Sequence, residues 1–148
     1  MNPSVKRNTF PKIELVKLFK LTLFNFLVGN EDMHLKNFSL ITKDNKISLA
    51  PAYDLLNSTI AQKNASEEIA LPIRGRKRNL SKHDLCDYFA VERFGLNAKV
   101  MANILQEFQQ AIPRWQELIT ISFLSREMQI KYLNLLDDRC KRLGFVDI

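Results

Sequence analysis

An apolar run at residues 13–28 constrains the fold more than any other feature. Its aliphatic and aromatic positions are too many for a single stripe: Ile13, Leu15, Val16, Leu18, Phe19, Leu21, Leu23, Phe24, Phe26, Leu27 and Val28. A helix that is apolar on most sides must be buried on most sides. Pro11 suits the first turn of such a helix, and Gly29 suits its C-terminal cap. We therefore predict a central helix around which the rest of the chain packs.

The same run is not predicted to cross a membrane. Lys17, Lys20 and Asn25 interrupt it, and a bilayer span needs roughly 20 apolar residues. Residues 1–12 include basic residues, but no small-residue cleavage site follows the apolar run, so we expect no secretory signal. Cys86 and Cys140 lack the paired spacing of a zinc or redox site. We expect reduced thiols in a cytoplasmic protein, and one domain over residues 1–148.

Two short strand-like runs follow the central helix, at 38–41 and 46–49. The turn-rich tetrad 42–45 separates them, so we predict a small β-hairpin. Residues 55–68 suit a loop with a little helix, and 69–73 suit another short strand.

From Ser81 onward the pattern is helical. Ser81 and Asp84 have the spacing of a capping box, which predicts a helix that ends near Gly95. Three further helices are predicted: one at about 98–111 that follows the cap Asn97 and is broken by Pro113, a short one at 115–121, and a long one from Ser125 to Gly144. The expected fold class is mainly α, a helical bundle with one small β-hairpin.

Most of the net charge of +6 lies in residues 74–82, which we call the basic segment. It contains no acid, and its cations are Arg74, Arg76, Lys77, Arg78 and Lys82. Such a cluster suits an anionic partner, but a solvated loop explains it equally well.

The clearest chemistry lies at residues 29–38, where the central helix ends and the hairpin begins. Four residues separate Asp32 from Asn37 in an Asp-x4-Asn arrangement. In this spacing a carboxylate can face an attacking hydroxyl while an amide oxygen binds a metal on nucleotide phosphates. Asp54, at the far end of the hairpin, should return beside Asn37 as a second metal ligand. Mg²⁺ prefers such hard oxygen ligands and keeps several waters.

Each of these residues also has a purely structural interpretation. Asp32 could cap a nearby loop, Asn is common before a strand, and Asp54 could cap a short helix at 55–56. His34 suits a structural hydrogen bond within the loop. Lys36 either contacts the transferred phosphoryl group or is solvated.

Two motifs together, NEDMHLKNFS at 30–39 and LAPAYDLL at 49–56, resemble the C-terminal lobe of HipA-type serine/threonine kinases, the toxins of bacterial toxin-antitoxin systems. The segment 68–73 adds to a likeness that spans roughly residues 14–145. It implies a protein-kinase-like C-lobe whose hairpin region carries the catalytic and metal-binding loops. It also implies that Asp32 is the catalytic aspartate, that Asn37 binds magnesium, and that Asp54 binds metal as the DFG aspartate does in other kinases. Aminoglycoside phosphotransferases and lipid kinases share the Asp-x4-Asn spacing, but other flanking residues are expected there.

The resemblance further implies Mg²⁺ and ATP as cofactors, a protein substrate such as an aminoacyl-tRNA synthetase, and a DNA-binding antitoxin of the HipB type. Such kinases carry an N-terminal lobe with a phosphate-covering loop and a nucleotide-binding lysine. The four glycines here form no glycine-rich loop. We therefore expect about half of a kinase, whose ATP-clasping lobe is absent from this chain and could be a separate chain. The alternative is a non-catalytic remnant or interaction module that binds a protein or nucleic acid through the basic segment.

Overall fold

A computed structural model describes residues 9–62 and 66–145 of the chain. The central helix α1 spans Pro11–Val28 and ends at Gly29, whose φ of 73° is left-handed. Both predicted end signals are confirmed. The side chains of Phe19, Leu23, Phe26 and Leu27 are completely buried in α1; each such burial contributes roughly 1.5–3 kcal/mol. Ile13 departs from the prediction, because it lies in the first turn and is 55% exposed.

The predicted hairpin is confirmed with a shift of two residues in its first strand. Strand β1 spans Leu40–Lys43 and pairs antiparallel with β2, Lys46–Leu49. Asp44 and Asn45 alone form the turn, both with positive φ, as a two-residue hairpin turn requires. The carboxylate of Glu14 accepts a hydrogen bond from the Leu49 amide at 2.7 Å, so the hairpin is tied to α1.

The connection from the hairpin to the next helix is irregular. The little helix expected there is a 3₁₀ turn at Thr59–Ala61. The predicted strand at 69–73 is wrong, since only an isolated bridge joins Ile73 to Arg76. Arg74 and Gly75, between the two, both have positive φ, and this tight turn ends the pairing after one residue pair.

Three helices form the C-terminal half: a π-helix at His83–Arg93, α2 at Ala98–Thr120 and α3 at Arg126–Leu143. The predicted cap Asn97 is confirmed, and so are the predicted start of the last helix at Ser125 and its end at Gly144. The Asn97 side chain accepts a hydrogen bond from the Val100 amide, Ser125 does the same for Met128, and Gly144 ends α3 in a left-handed conformation. The helix that begins after Ser81 has π-type rather than α-type hydrogen bonding, which the sequence pattern did not predict.

Pro113 does not break a helix, contrary to the prediction. Helix α2 runs through it, and the separate short helix expected at 115–121 is the end of α2. Ile112 is completely buried, and the Trp115 ring packs edge-on against Phe24 and Phe108 at centroid distances of 5.4 and 5.9 Å. Because Pro113 is exposed, water can satisfy the carbonyl that its missing N–H leaves free. Packing of this apolar face outweighs the lost hydrogen bond.

Residues 9–62 and 66–145 therefore form a mainly helical fold with one two-stranded antiparallel hairpin. Helix α1 contacts α3 and β2, while α2 contacts α3 and the π-helix. Burial raises the pKa of Cys86 to about 11 and that of Cys140 to about 12, and both thiols are free. None of the helices that the structure describes combines the length and the apolarity of a membrane-spanning segment.

Candidate functional site

The candidate site begins where α1 ends. A Cβ atom at position 29 would lie 2.9 Å from the Asn57 side-chain oxygen and 3.1 Å from Leu135, so both the space and the positive φ require glycine. The Gly29 carbonyl accepts hydrogen bonds from the backbone and the hydroxyl of Thr59, at 3.1 and 2.9 Å. The loop that carries Asp32 is therefore anchored both to a buried helix and to the 3₁₀ turn.

Asn37 and Asp54 lie side by side, as the hairpin geometry predicts. The Asn37 side-chain nitrogen, Nδ2, is 3.5 Å from Asp54 Oδ2 and 3.3 Å from the Asp32 carbonyl oxygen. Asn37 is buried, whereas Asp54 is exposed. Their role as metal ligands stays a prediction, but the structure brings together the amide and the carboxylate that it needs.

Asp54 has a φ of 56°, a left-handed conformation that is strained for a residue other than glycine. Residues 55–56 are not helical, so the interpretation of Asp54 as the cap of a short helix is wrong. Nearby, the Tyr53 hydroxyl donates to the Lys36 carbonyl oxygen at 3.0 Å, which joins the segment that carries Asp54 to the Asp32 loop.

The Asp32 carboxylate is more than half exposed and lies 3.2 Å from the ring nitrogen Nε2 of His34. The His34 amide also donates to the Asp32 carbonyl oxygen at 2.8 Å. His34 thus makes hydrogen bonds within the loop, and Lys36 is exposed. Asp32 remains accessible to a molecule that approaches from outside.

Sequence reasoning missed Asn30, the residue that links the two predicted loops. Asn30 is 1% exposed, and its Nδ2 donates to Asn25 Oδ1 at 3.1 Å and to the Asp54 carbonyl oxygen at 3.2 Å. Its Oδ1 accepts the Asp32 amide at 3.2 Å. No periodicity marks this residue. The available signal was a polar side chain directly after the cap of a buried helix, where an amide can satisfy several loop groups.

Glu31 and Ser58 were also missed. The Glu31 amide donates to the Ser58 hydroxyl oxygen at 3.0 Å, and both residues are buried. Burial and the negative charge of Glu67 raise the pKa of Glu31, while the positive charge of Arg139 lowers it, with a net upward shift. A buried carboxylate thus lies next to the exposed Asp32.

A cavity of about 340 Å³ adjoins Asn37. Its walls are mostly apolar and include Leu21, Phe38, Leu49 and Pro51. The candidate site therefore adjoins a cavity between α1 and the hairpin.

The basic segment is less available to a partner than its sequence suggests, because three of its cations form ion pairs within the chain. Arg74 and Arg76 lie 3.4 and 2.5 Å from Asp84 Oδ1, and Lys77 lies 3.0 Å from Glu67 Oε2. These three cations are therefore already paired with acids of this chain, and their role in binding a partner stays a prediction. The acids that pair with them flank the segment, and a turn at Arg74 and Gly75 brings both sides together.

Asp84 is completely buried and supports the helix start as well as these cations. Its carboxylate accepts hydrogen bonds from the amide and the hydroxyl of Ser81, at 3.0 and 2.8 Å. Burial disfavours its charge, but these bonds and the charges of Arg76 and Arg74 outweigh that effect and lower its pKa. Arg78 and Lys82 are exposed and form no ion pair within the described residues.

Comparison with known proteins identifies the family. Residues 4–116 match the model of the HipA-like C-terminal domain, which is most of the chain. The protein therefore belongs to the HipA-like C-terminal domain family.

Curated relatives match over a limited region. A Sinorhizobium fredii protein named "Putative kinase Y4mE" is 40% identical over 74 residues, which is 50% of this chain and 17% of that protein. A Haemophilus influenzae protein named "Putative kinase" is 36% identical over 63 residues, 41% of this chain and 18% of its own length. The matched region is thus less than a fifth of either relative.

A solved structure shares the fold over nearly the whole chain. It is a chain in the complex of the Shewanella oneidensis MR-1 toxin-antitoxin system, which contains HipA, HipB and operator DNA. The TM-score is 0.76 at 22% identity, and the match covers 97% of this chain and 35% of that chain. The architecture is therefore HipA-like, and it corresponds to about a third of the solved protein.

Proposed function

We propose that this chain forms the catalytic and metal-binding part of a HipA-type serine/threonine protein kinase. Asp32 orients or deprotonates the hydroxyl of a protein substrate, and Asn37 and Asp54 hold Mg²⁺ on the phosphates of ATP. The observation that carries this proposal is the 3.5 Å distance between the side chains of Asn37, which precedes β1, and Asp54, which follows β2.

The residues present fit a magnesium ion. The Asn37 amide can turn its oxygen outward in place of its nitrogen, and Asp54 supplies one carboxylate. Mg²⁺ is commonly held by one or two protein oxygens together with substrate phosphates and waters. When bound, the ion would neutralise phosphate charge. The exposure of the Asp32 carboxylate leaves it free to accept a hydrogen bond from a substrate hydroxyl.

The proposal includes partners. Family membership and the HipA-like fold support an antitoxin of the HipB type, and the family resemblance suggests a translation protein such as an aminoacyl-tRNA synthetase as substrate. Because the chain corresponds to 35% of its structural neighbour, ATP-clasping groups would come from a further lobe, in the same protein or in a separate chain. The rival interaction through the basic segment loses support, since Arg74, Arg76 and Lys77 are already paired.

Calorimetry of Mg·ATP binding to the 148-residue chain tests the metal ligands. We expect Asp54→Asn to abolish the heat of binding, while Asp44→Asn, in the exposed hairpin turn, leaves it unchanged. Equal binding by the wild type and Asp54→Asn would contradict the assignment. If the wild type does not bind, the titration is repeated with the additional lobe present, and failure there would refute the proposal.

A further inference from the structure

A second cavity, of about 260 Å³, lies where α1, residues 71–74 and the π-helix meet. Its walls include Leu18 of α1 and the aromatic rings of Phe38, Phe89 and Phe94. None of the three predicted kinase site residues lines it. The cavity is therefore unassigned by the function proposed above, and π-helices such as the one that forms its wall are frequent at functional sites.

The size and the walls of this cavity suit a small aromatic molecule. An apolar cavity of about 150 Å³ can hold benzene, whereas drug-sized ligands occupy about 300–1,000 Å³. The volume of about 260 Å³ therefore suits two fused aromatic rings rather than a nucleotide. The rings of Phe89 and Phe94 have centroids 4.4 Å apart, and such ring faces and edges favour a flat aromatic occupant.

The charge at the cavity is positive. Two arginines line it, Arg74 of the basic segment and Arg93 in the last turn of the π-helix. The Arg74 guanidinium lies over the ring of Tyr88, another lining residue, 5.5 Å from its centre. Arg93 is exposed and forms no ion pair with any residue that the structure describes.

The ion pair of Arg74 does not use up its charge. Its nearest acid, Asp84, lies 3.4 Å away and also pairs with Arg76 at 2.5 Å. The other carboxylate oxygen of Asp84 accepts hydrogen bonds from Ser81. One carboxylate thus faces two guanidinium groups, so one positive charge remains without a counter-charge beside the cavity.

We propose that this cavity binds a small aromatic carboxylate, whose rings pack among Phe38, Phe89 and Phe94 and whose carboxylate faces Arg74 and Arg93. A guanidinium presents planar N–H donors that match a carboxylate and form charge-assisted hydrogen bonds with it. Both arginines are partly exposed, so the carboxylate stays near solvent while the rings are buried.

Titration of the 148-residue chain with 2-naphthoate, followed by amide chemical shifts in NMR spectra, tests the site. We expect saturable shifts at Thr22, Leu71 and Phe89, one lining residue from each of the three surrounding parts, with half-saturation at or below about 1 mM. The neutral analogue 2-naphthol keeps the rings and lacks the carboxylate, so it should bind about tenfold more weakly. Shifts that do not saturate, or equal affinity for the two probes, would overturn the proposal.

Substitution of the arginines tests the charge. Arg74→Met and Arg93→Met should each weaken 2-naphthoate binding about tenfold and leave 2-naphthol binding unchanged. The matched control is Arg78→Met, in the same basic segment, because Arg78 is exposed and does not line the cavity. An equal loss of 2-naphthoate binding in Arg78→Met would overturn the proposal, since general attraction to a basic surface would then explain the affinity.

A cavity-filling variant tests where the rings lie. Thr22 lines the cavity from α1, so Thr22→Phe should abolish the binding of both probes. Undiminished binding by Thr22→Phe with a native circular dichroism spectrum would overturn the proposal. If Thr22→Phe does not fold, the arginine variants and the comparison of the two probes decide the question.

The complete protein distinguishes a ligand site from a contact within the larger molecule. Retention of 2-naphthoate binding there would support the proposal, and its loss would overturn it, because another part of the protein would then fill the cavity. Displacement of the probe by Mg·ATP would also overturn it, since the probe would then occupy the nucleotide site. Failure of Mg·ATP binding with intact binding of 2-naphthoate would refute the proposed kinase function alone.

Discussion

Residues 29–58 and 67–84 are both largely irregular, but the environment of Asp32 and Asp54 in the first region is the opposite of that of Glu68 and Asp84 in the second. Glu68 and Asp84 are buried and bound by arginines and backbone amides. Asp32 and Asp54 are exposed and held by their backbones, chiefly through Asn30. Fully paired carboxylates stabilise a fold, whereas accessible ones are free to meet a ligand. The difference separates a structural cluster from a candidate active site.

The largest expected effect is on activity. In the complete kinase, Asp32→Ala should reduce phosphoryl transfer by a factor of about 10² to 10⁴, because it removes the group that accepts or orients the substrate proton. The melting temperature should stay close to that of the wild type, since the side chain is exposed. Radiolabelled phosphate transfer and circular dichroism check the two parts. Undiminished turnover would show that Asp32 is not catalytic.

For the buried acid Glu68, the expected effect of a substitution is on stability rather than on activity. Glu68→Ala should lower the free energy of unfolding by about 3 kcal/mol, since it leaves Arg139 and Arg142 without their buried partner. Urea denaturation measures the loss. The neighbouring Glu67→Ala breaks a partly exposed pair with Lys77 and should cost less than about 1 kcal/mol. Equal losses of unfolding free energy for both variants would show that burial of the acid does not determine how much it stabilises the fold.

Asn30→Ala tests whether the two site loops depend on each other, because it removes the side chain that links them. We expect a loss of about 2 kcal/mol in unfolding free energy from the unsatisfied Asp32 amide and Asp54 carbonyl. Mg·ATP binding should weaken as well, since Asp54 is no longer held near Asn37. Asn103→Ala, on the exposed face of α2, is the control. If Asn30→Ala binds Mg·ATP and unfolds as Asn103→Ala does, the Asn30 side chain does not hold the two loops together.

The smallest expected effect is the pH dependence of stability. The pKa of Glu68 is lowered: burial opposes its ionisation, but hydrogen bonds from Arg142 and Leu80 and the charge of Arg139 outweigh burial. The pKa of Asp84 is lowered similarly. Both groups contribute stability above the pKa of the unfolded chain, about 4, which is lost as the pH falls through the folded value.

Glu31 has the opposite sign, because its raised pKa gives a contribution present below the unfolded value and lost as the pH rises through the folded one. Urea titrations from pH 7 to pH 3 should therefore show a fall in stability that Asp84→Asn reduces and Glu31→Gln does not. If Asp84→Asn leaves this fall unaltered, protonation of the Asp84 carboxylate does not cause the loss of stability in acid.

Local patterns predicted much of the fold. The burial of α1, its end at Gly29, the caps Asn97 and Ser125, and the hairpin all follow from side-chain preferences within a few residues. The candidate site was found in the same way, because Asp32 and Asn37 are near neighbours in sequence and the hairpin brings Asp54 back. Pro113 and the strand expected at 69–73 show the limit. At Pro113, packing of α2 against Phe24 of α1 outweighs the local preference, and the turn at Arg74 and Gly75 ends the pairing of residues 69–73 after a single bridge.

By itself, the sequence determined the central helix, the helical C-terminal half and the chemical types of the site residues, since these depend on short-range spacing and backbone preference. Only the tertiary structure decided which charges are available. It paired Arg76 with Asp84 and Arg142 with Glu68, which is 74 residues away, and it left Asp32 and Asp54 exposed. Burial and pairing depend on packing between elements far apart in the chain, and charge patterns in sequence do not contain that information.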